Sequence, residues 1–203
     1  MRVEGEILYM PNLGVRRVRL SCEFPLTVLN DANAFAYAEY RVEHPNCRVL
    51  FGVTLGTGIG SGLVVDGKIY TGAGLASEFG HVHVGLEGRR CTCGGVDHLE
   101  AYFSGWAFKR DFGMPAEELA RRMPGRIRER LKYLARGLAN VVHLLDPEVI
   151  VFGGGLSAAV SLEDLKAELS PLLMPGFKPR LEMSSLRHAA ACGAALLAED
   201  SFG

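Results

Sequence analysis

Two cysteines one residue apart, Cys91 and Cys93, flanked by His81 and His98, constrain this chain more than any other feature. They lie in one stretch, Gly80 to Glu100 (GHVHVGLEGRRCTCGGVDHLE), with Glu78 just before it and Glu100 closing it. Zinc takes four ligands in a tetrahedron, commonly two thiolates and two imidazoles. Cys91-x-Cys93 supplies two sulfurs from one turn, Gly94-Gly95 lets the chain reverse, and His98 returns on the far side. His81 closes the set from a separate strand. His83 competes for that place, since alternation along a strand points it to the same side, but His81 is preferred. Four protein ligands leave no open position, so the expected zinc is structural. The other reading is a chance cysteine pair among surface histidines. Five cysteines, scattered apart from this pair, form no disulfide framework, and in a reducing compartment the pair points to metal first.

Around this loop the patterns alternate between strand and helix. Residues 1–25 read as irregular, with a short strand at Glu6–Tyr9. A short apolar strand is expected at Leu26–Leu29. Asp31 follows as helix cap, and Ala32 to Glu43 is rich in helix formers until His44-Pro45 stops it. Arg48–Leu55 reads as a buried strand. Gly62–Val65 and Lys68–Tyr70 flank Asp66-Gly67, a hairpin signal. Helices are expected over Leu99–Phe108, Pro115–Met123, Arg126–Leu145, Leu162–Leu173 and His188–Glu199, and strands over Glu148–Phe152 and Arg180–Met183. In the long helix Ile127, Leu131, Leu134, Leu138, Val141, Val142 and Leu145 recur at steps of three and four. A β-meander followed by alternating helices and strands argues an α/β fold.

Several function classes fall away. A net charge of −1 over 203 residues gives no electrostatic case for nucleic acid or an anionic membrane. The one basic cluster, Arg121 to Arg136, also carries Glu129 and reads as a solvated helix face. No apolar run reaches the ~18 residues of a spanning helix. MRVEGEILYM lacks the basic and apolar regions of a signal peptide, so a cytoplasmic protein is expected.

Four further features bear on chemistry. Asn30-Asp31 sits at a strand–helix junction, where α/β sheets bind ligands. Asp31 there is a cap, or a base for a hydroxyl proton with Asn30 holding a neighbouring hydroxyl. Gly56-Thr57-Gly58-Ile59-Gly60 precedes a strand, so it is neither a dinucleotide fingerprint nor a Walker loop. It is a tight turn, or a turn offering backbone N–H groups to phosphate. Gly153-Gly154-Gly155 after a strand is either a close backbone approach to a planar ligand or only a turn. Glu78 and Glu100, fixed at the ends of a stapled loop, become candidates for hydroxyl recognition, because a carboxylate accepts several strong hydrogen bonds.

In order along the chain, Asn30-Asp31-Ala32-Asn33, Leu55 to Gly62 (LGTGIGSG), Glu78-Phe79-Gly80-His81, Cys91 to Glu100 (CTCGGVDHLE) and Val151 to Gly155 (VFGGG) resemble the ROK family of sugar kinases (repressors, open reading frames, kinases). The match extends to Gly193-Ala194-Ala195. The resemblance implies an actin-like ATPase (ribonuclease H-like) α/β fold of two lobes, with sugar in the cleft. Residues 1–47 would be the remainder of the small amino-terminal lobe, joined by the returning helix 188–200. Residues 48–187 would be the large lobe carrying the zinc loop 81–98. By the same resemblance Asp31 is the catalytic base for the 6-hydroxyl of a hexose, with glucose the leading candidate. Asn30, Asp31, Glu78, His81 and Glu100 are sugar ligands, with His81 shared between sugar and zinc. Gly56, Thr57 and Gly58 form a phosphate loop, and Gly153, Gly154 and Gly155 lie on the adenosine side. ATP with Mg²⁺ is the implied cosubstrate and a homo-oligomer, dimer or tetramer, the implied assembly.

Two departures from the family pattern stand out. The third cysteine of Cys-x-Cys-Gly-x-x-Gly-Cys is His98 here, and the glycine before it is Asp97. The family's opening strand and Asp-x-Gly-Gly-Thr loop, which holds Mg²⁺ and phosphates, are not found in this sequence. An incomplete first lobe and reduced phosphoryl transfer are therefore expected. The alternative reading is a non-catalytic sugar-binding or regulatory module of the same family. A zinc-stabilised domain without a sugar site is a third.

Overall fold

Period-two alternation in three strands decides the architecture. The computed structural model describes residues 3–10, 15–23, 26 and 28–202. Strands β1 (Val3–Met10) and β2 (Val15–Cys22) pair as an antiparallel hairpin, with Met10 opposite Val15. The expected irregular start with one short strand is thus corrected. Val18, Leu20 and Cys22 alternate with Arg17, Arg19 and Ser21, a strand period that the arginines obscure. The strand expected at Leu26–Leu29 is absent at Leu26, Val28 and Leu29, while Thr27 lies outside the described residues. Helix α1 (Asp31–Val42) follows. Then come β3 (Val49–Leu55), β4 (Ile59–Val65) and β5 (Lys68–Ile69). The β4–β5 turn has Asp66 and Gly67 at φ 47° and 79°, the left-handed pair of a tight hairpin.

After the cysteine–histidine loop come α2 (Gly105–Phe112), α3 (Ala116–Arg122), α4 (Pro124–Arg128) and α5 (Leu131–Leu145). Strand β6 (Val149–Gly153), α6 (Leu162–Leu169), β7 (Arg180–Met183) and α7 (Ala189–Phe202) complete the chain. The main sheet has the order β5-β4-β3-β6-β7, with β3 antiparallel to β4 and parallel to β6, and β6 parallel to β7.

Three helix expectations change. Leu99–Phe108 is a 3₁₀ turn at Leu99–Ala101 and then α2, because the Ser104 hydroxyl caps α2 by accepting from Ala107 N–H at 3.1 Å. The long helix over Arg126–Leu145 breaks at Glu129-Arg130, where Arg130 reaches the Tyr102 carbonyl at 3.2 Å and Asp111 at 2.6 Å. Its apolar stripe runs on through the break, so periodicity alone conceals it. Pro171 ends α6 in a 3₁₀ turn at Ser170–Leu172, since proline brings no N–H.

The sheet is covered on both faces. Leu50, Val64, Val149 and Val151 pack with Phe35, Ala36 and Tyr37 of α1 and with Ala189 of α7. The intervening Phe51, Val53, Leu63, Ile150 and Phe152 pack with Leu131, Leu134, Leu138 and Val142 of α5 and Leu165 of α6. On the α1 side the alternation also brings up glycine: a Cβ on Gly62 would lie 2.6 Å from the Ala32 carbonyl oxygen. This glycine thus serves close docking of a helix on a sheet. Residues 32–39 of α1 are buried, with α7 on the outer side. A Cβ on Gly193 would meet the Ala34 carbonyl at 1.8 Å, so the two helix backbones touch.

Candidate functional site

The two glycine loops leave the same end of the sheet. Thr54 of β3 pairs with Gly153 of β6, and the strands are parallel, so Gly56–Gly58 and Gly153–Gly155 both follow strand carboxyl ends. That is where α/β sheets place ligands. The first loop is closed by Gly56 N–H donating to the Gly58 carbonyl at 3.0 Å, with Thr57 exposed at its tip. A Cβ on Gly154 would lie 2.3 Å from the Leu55 carbonyl oxygen, so the loops meet backbone to backbone.

The residues that begin β4 are the meeting point for the rest. The first turn of α1 rests on Gly60, whose Cβ would be 2.9 Å from Ala32 Cβ. Asn30, not Asp31, caps this helix: its Oδ1 accepts from Ala32 N–H at 2.9 Å and Asn33 N–H at 3.2 Å. Asn30 is extended while Asp31 is already helical, which corrects the expected cap. Asp31 stays exposed in the first turn, where the helix dipole favours a carboxylate. The 3₁₀ turn Phe79–His81 rests on Ile59, whose carbonyl a Gly80 Cβ would meet at 2.5 Å.

Glu100 ties this region together. It is buried on the turn Leu99–Ala101, and its Oε2 accepts from Ile59 N–H at 2.9 Å. Oε1 accepts from Trp106 Nε1–H at 3.1 Å and from the Thr92 hydroxyl at 3.3 Å. A Cβ on Gly58 would fall 2.5 Å from Oε2. The carboxylate expected to bind sugar therefore also braces the glycine loop. Glu78, by contrast, is exposed, with its carboxylate 3.8 Å from His81 Nε2.

His81, Cys91, Cys93 and His98 place one ligand atom each within 4.8 Å of one another. His81 Nδ1 lies 3.8 Å from Cys91 Sγ, and His98 Nδ1 lies 3.2 Å from Cys93 Sγ. Tetrahedral zinc with bonds of about 2.05 Å to nitrogen and 2.3 Å to sulfur requires an N···S edge of about 3.6 Å. The two distances bracket that value, and the soft, borderline donor set suits zinc. His83 is outside the cluster and instead forms a β-bridge with His98. Burial lowers the pKa of the His98 imidazole, favouring the neutral form that ligates, while burial raises that of the Cys91 thiol.

Asp97, where the family pattern has glycine, sits at φ 57°. Its carboxylate accepts from Gly88 N–H and Arg89 N–H, each at 3.0 Å, and from the Tyr102 hydroxyl. A left-handed position is thus filled by a residue that tolerates it and closes the loop with local hydrogen bonds. Asp97, Thr92 and Trp106 are not among the site residues that the sequence points to. The departure from glycine marked Asp97, but nothing local marks the other two, since their partner is met only in the folded chain.

The ROK family profile matches residues 2–201. An N-acetyl-D-glucosamine kinase of Citrobacter koseri is 32% identical over 191 residues, covering 81% of this chain. The chain spans 62% of the length of that relative. The ROK hexokinase of Thermus thermophilus superposes with a TM-score of 0.76 at 31% identity, covering 86% of this chain and 66% of that one. A ROK family glucokinase of Streptomyces griseus, solved with glucose and AMPPNP, gives 0.70 at 29% identity, covering 87% and 69%. The α/β sheet covered by helices on both faces is of the actin-like ATPase type that these structures share. Matched along nearly its full length and carrying the motifs in order, the chain belongs to the ROK family.

Proposed function

We propose that the chain carries the sugar site of an ATP-dependent kinase that phosphorylates a hexose at O6. The observation behind this reading is the gathering of the Asn30-Asp31 turn, the Phe79–His81 turn and Glu100 on Gly58–Gly60, beside two glycine loops at one end of the sheet. Carboxylates and an imidazole with free hydrogen-bonding capacity suit sugar hydroxyls. Glycine turns with open backbone suit phosphates. Asp31 accepts the O6 proton as O6 attacks the γ-phosphorus of ATP, and the bond to ADP breaks. Asn30, Glu78, His81 and Glu100 hold the remaining hydroxyls. Gly56, Thr57 and Gly58 face the phosphates, Gly153, Gly154 and Gly155 face the adenosine, and Mg²⁺ enters with ATP.

His81, Cys91, Cys93 and His98 would hold a structural zinc whose part is to fix the loop. A cytoplasmic setting would keep the two thiols reduced. The proposed division into 1–47 with helix 188–200, and 48–187, draws support from the packing of α7 on α1. Glucokinase and N-acetylglucosamine kinase relatives put glucose and N-acetylglucosamine first among substrates to try.

The test measures ADP release with each sugar and binding by calorimetry. Asp31→Asn is expected to abolish turnover, by at least the ~10²-fold typical of a general base, with sugar affinity nearly unchanged. Full turnover in that variant removes Asp31 from the mechanism. Sugar binding without turnover in the unaltered chain would favour the non-catalytic binding module instead.

A further inference from the structure

We infer that Trp106 is a positioning residue for the sugar site, setting which lone pair of Glu100 is offered to a hexose hydroxyl. The inference rests on the reading of Glu100 as a sugar ligand. An ionised carboxylate has about four acceptor sites. Three are taken: two on Oε1 by Trp106 Nε1–H and the Thr92 hydroxyl, one on Oε2 by Ile59 N–H. The remaining site is on Oε2, the oxygen that faces the glycine loop. The Thr92 hydroxyl is on an exposed residue at 3.3 Å and free to rotate, so it selects no orientation. The indole N–H is fixed. It can only donate, and it takes one of the two acceptor sites on Oε1.

Trp106 is itself immobilised on the element that it serves. Its backbone N–H donates to the Thr57 carbonyl at 3.0 Å, and the preceding Gly105 N–H donates to the Gly56 carbonyl at 2.9 Å. The Arg110 guanidinium lies over the indole, 4.9 Å from its centroid, and the ring packs against the main core. One residue thus fixes the glycine loop through its backbone and the sugar-facing carboxylate through its side chain. An anionic acceptor with one open site discriminates for a hydroxyl donor at one position of the sugar ring and against its deoxy analogue.

Trp106 is the sole tryptophan of the chain, so intrinsic fluorescence reports this residue alone. The experiment titrates the zinc-loaded 203-residue chain with glucose, N-acetylglucosamine and a set of monodeoxyglucoses, by calorimetry and by tryptophan emission. The same calorimetry is run on Trp106→Phe, which keeps the ring and removes the N–H. Hexose is expected to shift the emission with the calorimetric midpoint. Trp106→Phe is expected to weaken hexose binding by about 3- to 10-fold, the effect of one hydrogen bond. It should also narrow the preference for hexose over the most strongly rejected deoxy analogue, which a merely structural loss would not do. Unchanged affinity and an unchanged deoxy preference in Trp106→Phe overturn the inference while leaving the sugar site standing. Should that variant not fold, the unaltered chain decides: emission unmoved at saturating hexose overturns the inference, and a matched shift supports it. Absence of calorimetric hexose binding to the unaltered chain overturns the sugar-site reading, and this inference with it.

Discussion

Replacing Glu100 by glutamine tests whether this carboxylate, the proposed sugar ligand, braces the glycine loop. The side chain keeps its shape but loses one acceptor oxygen and gains an NH₂. If the NH₂ takes the place of Oε2, it faces the Ile59 N–H, now 2.9 Å from an oxygen. If it takes the place of Oε1, it faces the Trp106 N–H at 3.1 Å, while Thr92 can rotate to accept. Either way one inward donor is left unpaired, which costs about 1–3 kcal/mol. Backbone amides and indoles cannot rotate to escape, so relaxation recovers little. For a domain of this size each kcal/mol lowers the melting temperature by about 2–4 °C, giving a fall of about 2–12 °C. Thermal unfolding of the zinc-loaded chain, with metal content measured alongside, provides the assay. Thr92→Val, which removes only an exposed hydroxyl donor, should fall at the low end or below. A Glu100→Gln chain that melts with the unaltered one, at equal metal content, refutes the three-donor arrangement.

Two further perturbations probe the packing and the metal. Burial raises the Glu39 carboxyl above its ordinary value of 4.5, with the Ser184 hydroxyl donating to it. The folded chain therefore holds this proton more tightly than the unfolded one, and the stability from this group is full below the ordinary value and lost as pH rises through the folded one. Glu39→Gln should raise the melting temperature near pH 7, with the gain vanishing below about pH 4, and parallel melting curves across that range would contradict the assignment. Thiol labelling at about pH 8 should find Cys192 reactive and Cys47, whose thiol burial pushes up to about 11, inert. Adding a chelator should expose Cys91 and Cys93 together, and labelling of the exposed Cys93 at the same rate before and after chelation would rule out a metal there.

Residues that act close to their own place in the chain were legible in the sequence. Cys91-x-Cys93, the two glycines and His98 are near neighbours, so their meeting in space follows from one short loop. The strands β3 and β6 and the Asp66-Gly67 hairpin were equally open to reading, because alternation and turn chemistry are local. What stayed hidden depends on long-range partners. The break between α4 and α5 serves Arg130, which bonds to groups on Tyr102 and Asp111, and no local signal marks it. The same holds for Gly62: nothing local marks its partner, and the folded chain uses it to admit Ala32. In the sequence Glu100 stands out only by its acidity and its place at the end of the loop. Its three donors come from residues 59, 92 and 106, two of them beyond that loop, and only folding brings them together.

A zinc held by His81, Cys91, Cys93 and His98 could act on the glycine loop through charge or through position. Zinc with two thiolates and two neutral imidazoles forms a centre of zero net charge, so its long-range field on phosphate or carboxylate is weak. Position is the stronger route. His98 is followed directly by the turn Leu99–Ala101, whose Ala101 N–H donates to the His98 carbonyl at 2.9 Å. Leu99 N–H is held by the Val82 carbonyl at 2.9 Å, one residue past His81. Glu100 projects from that turn onto Ile59 and Gly58. Two of the proposed metal ligands, His81 and His98, thus lie next to the two sides of the segment that carries Glu100, and Glu100 braces the glycine loop. Metal loss would act by loosening this path and not by changing local charge. It would therefore disturb the proposed sugar and phosphate contacts together, even though no ligand atom of the metal need touch a phosphate.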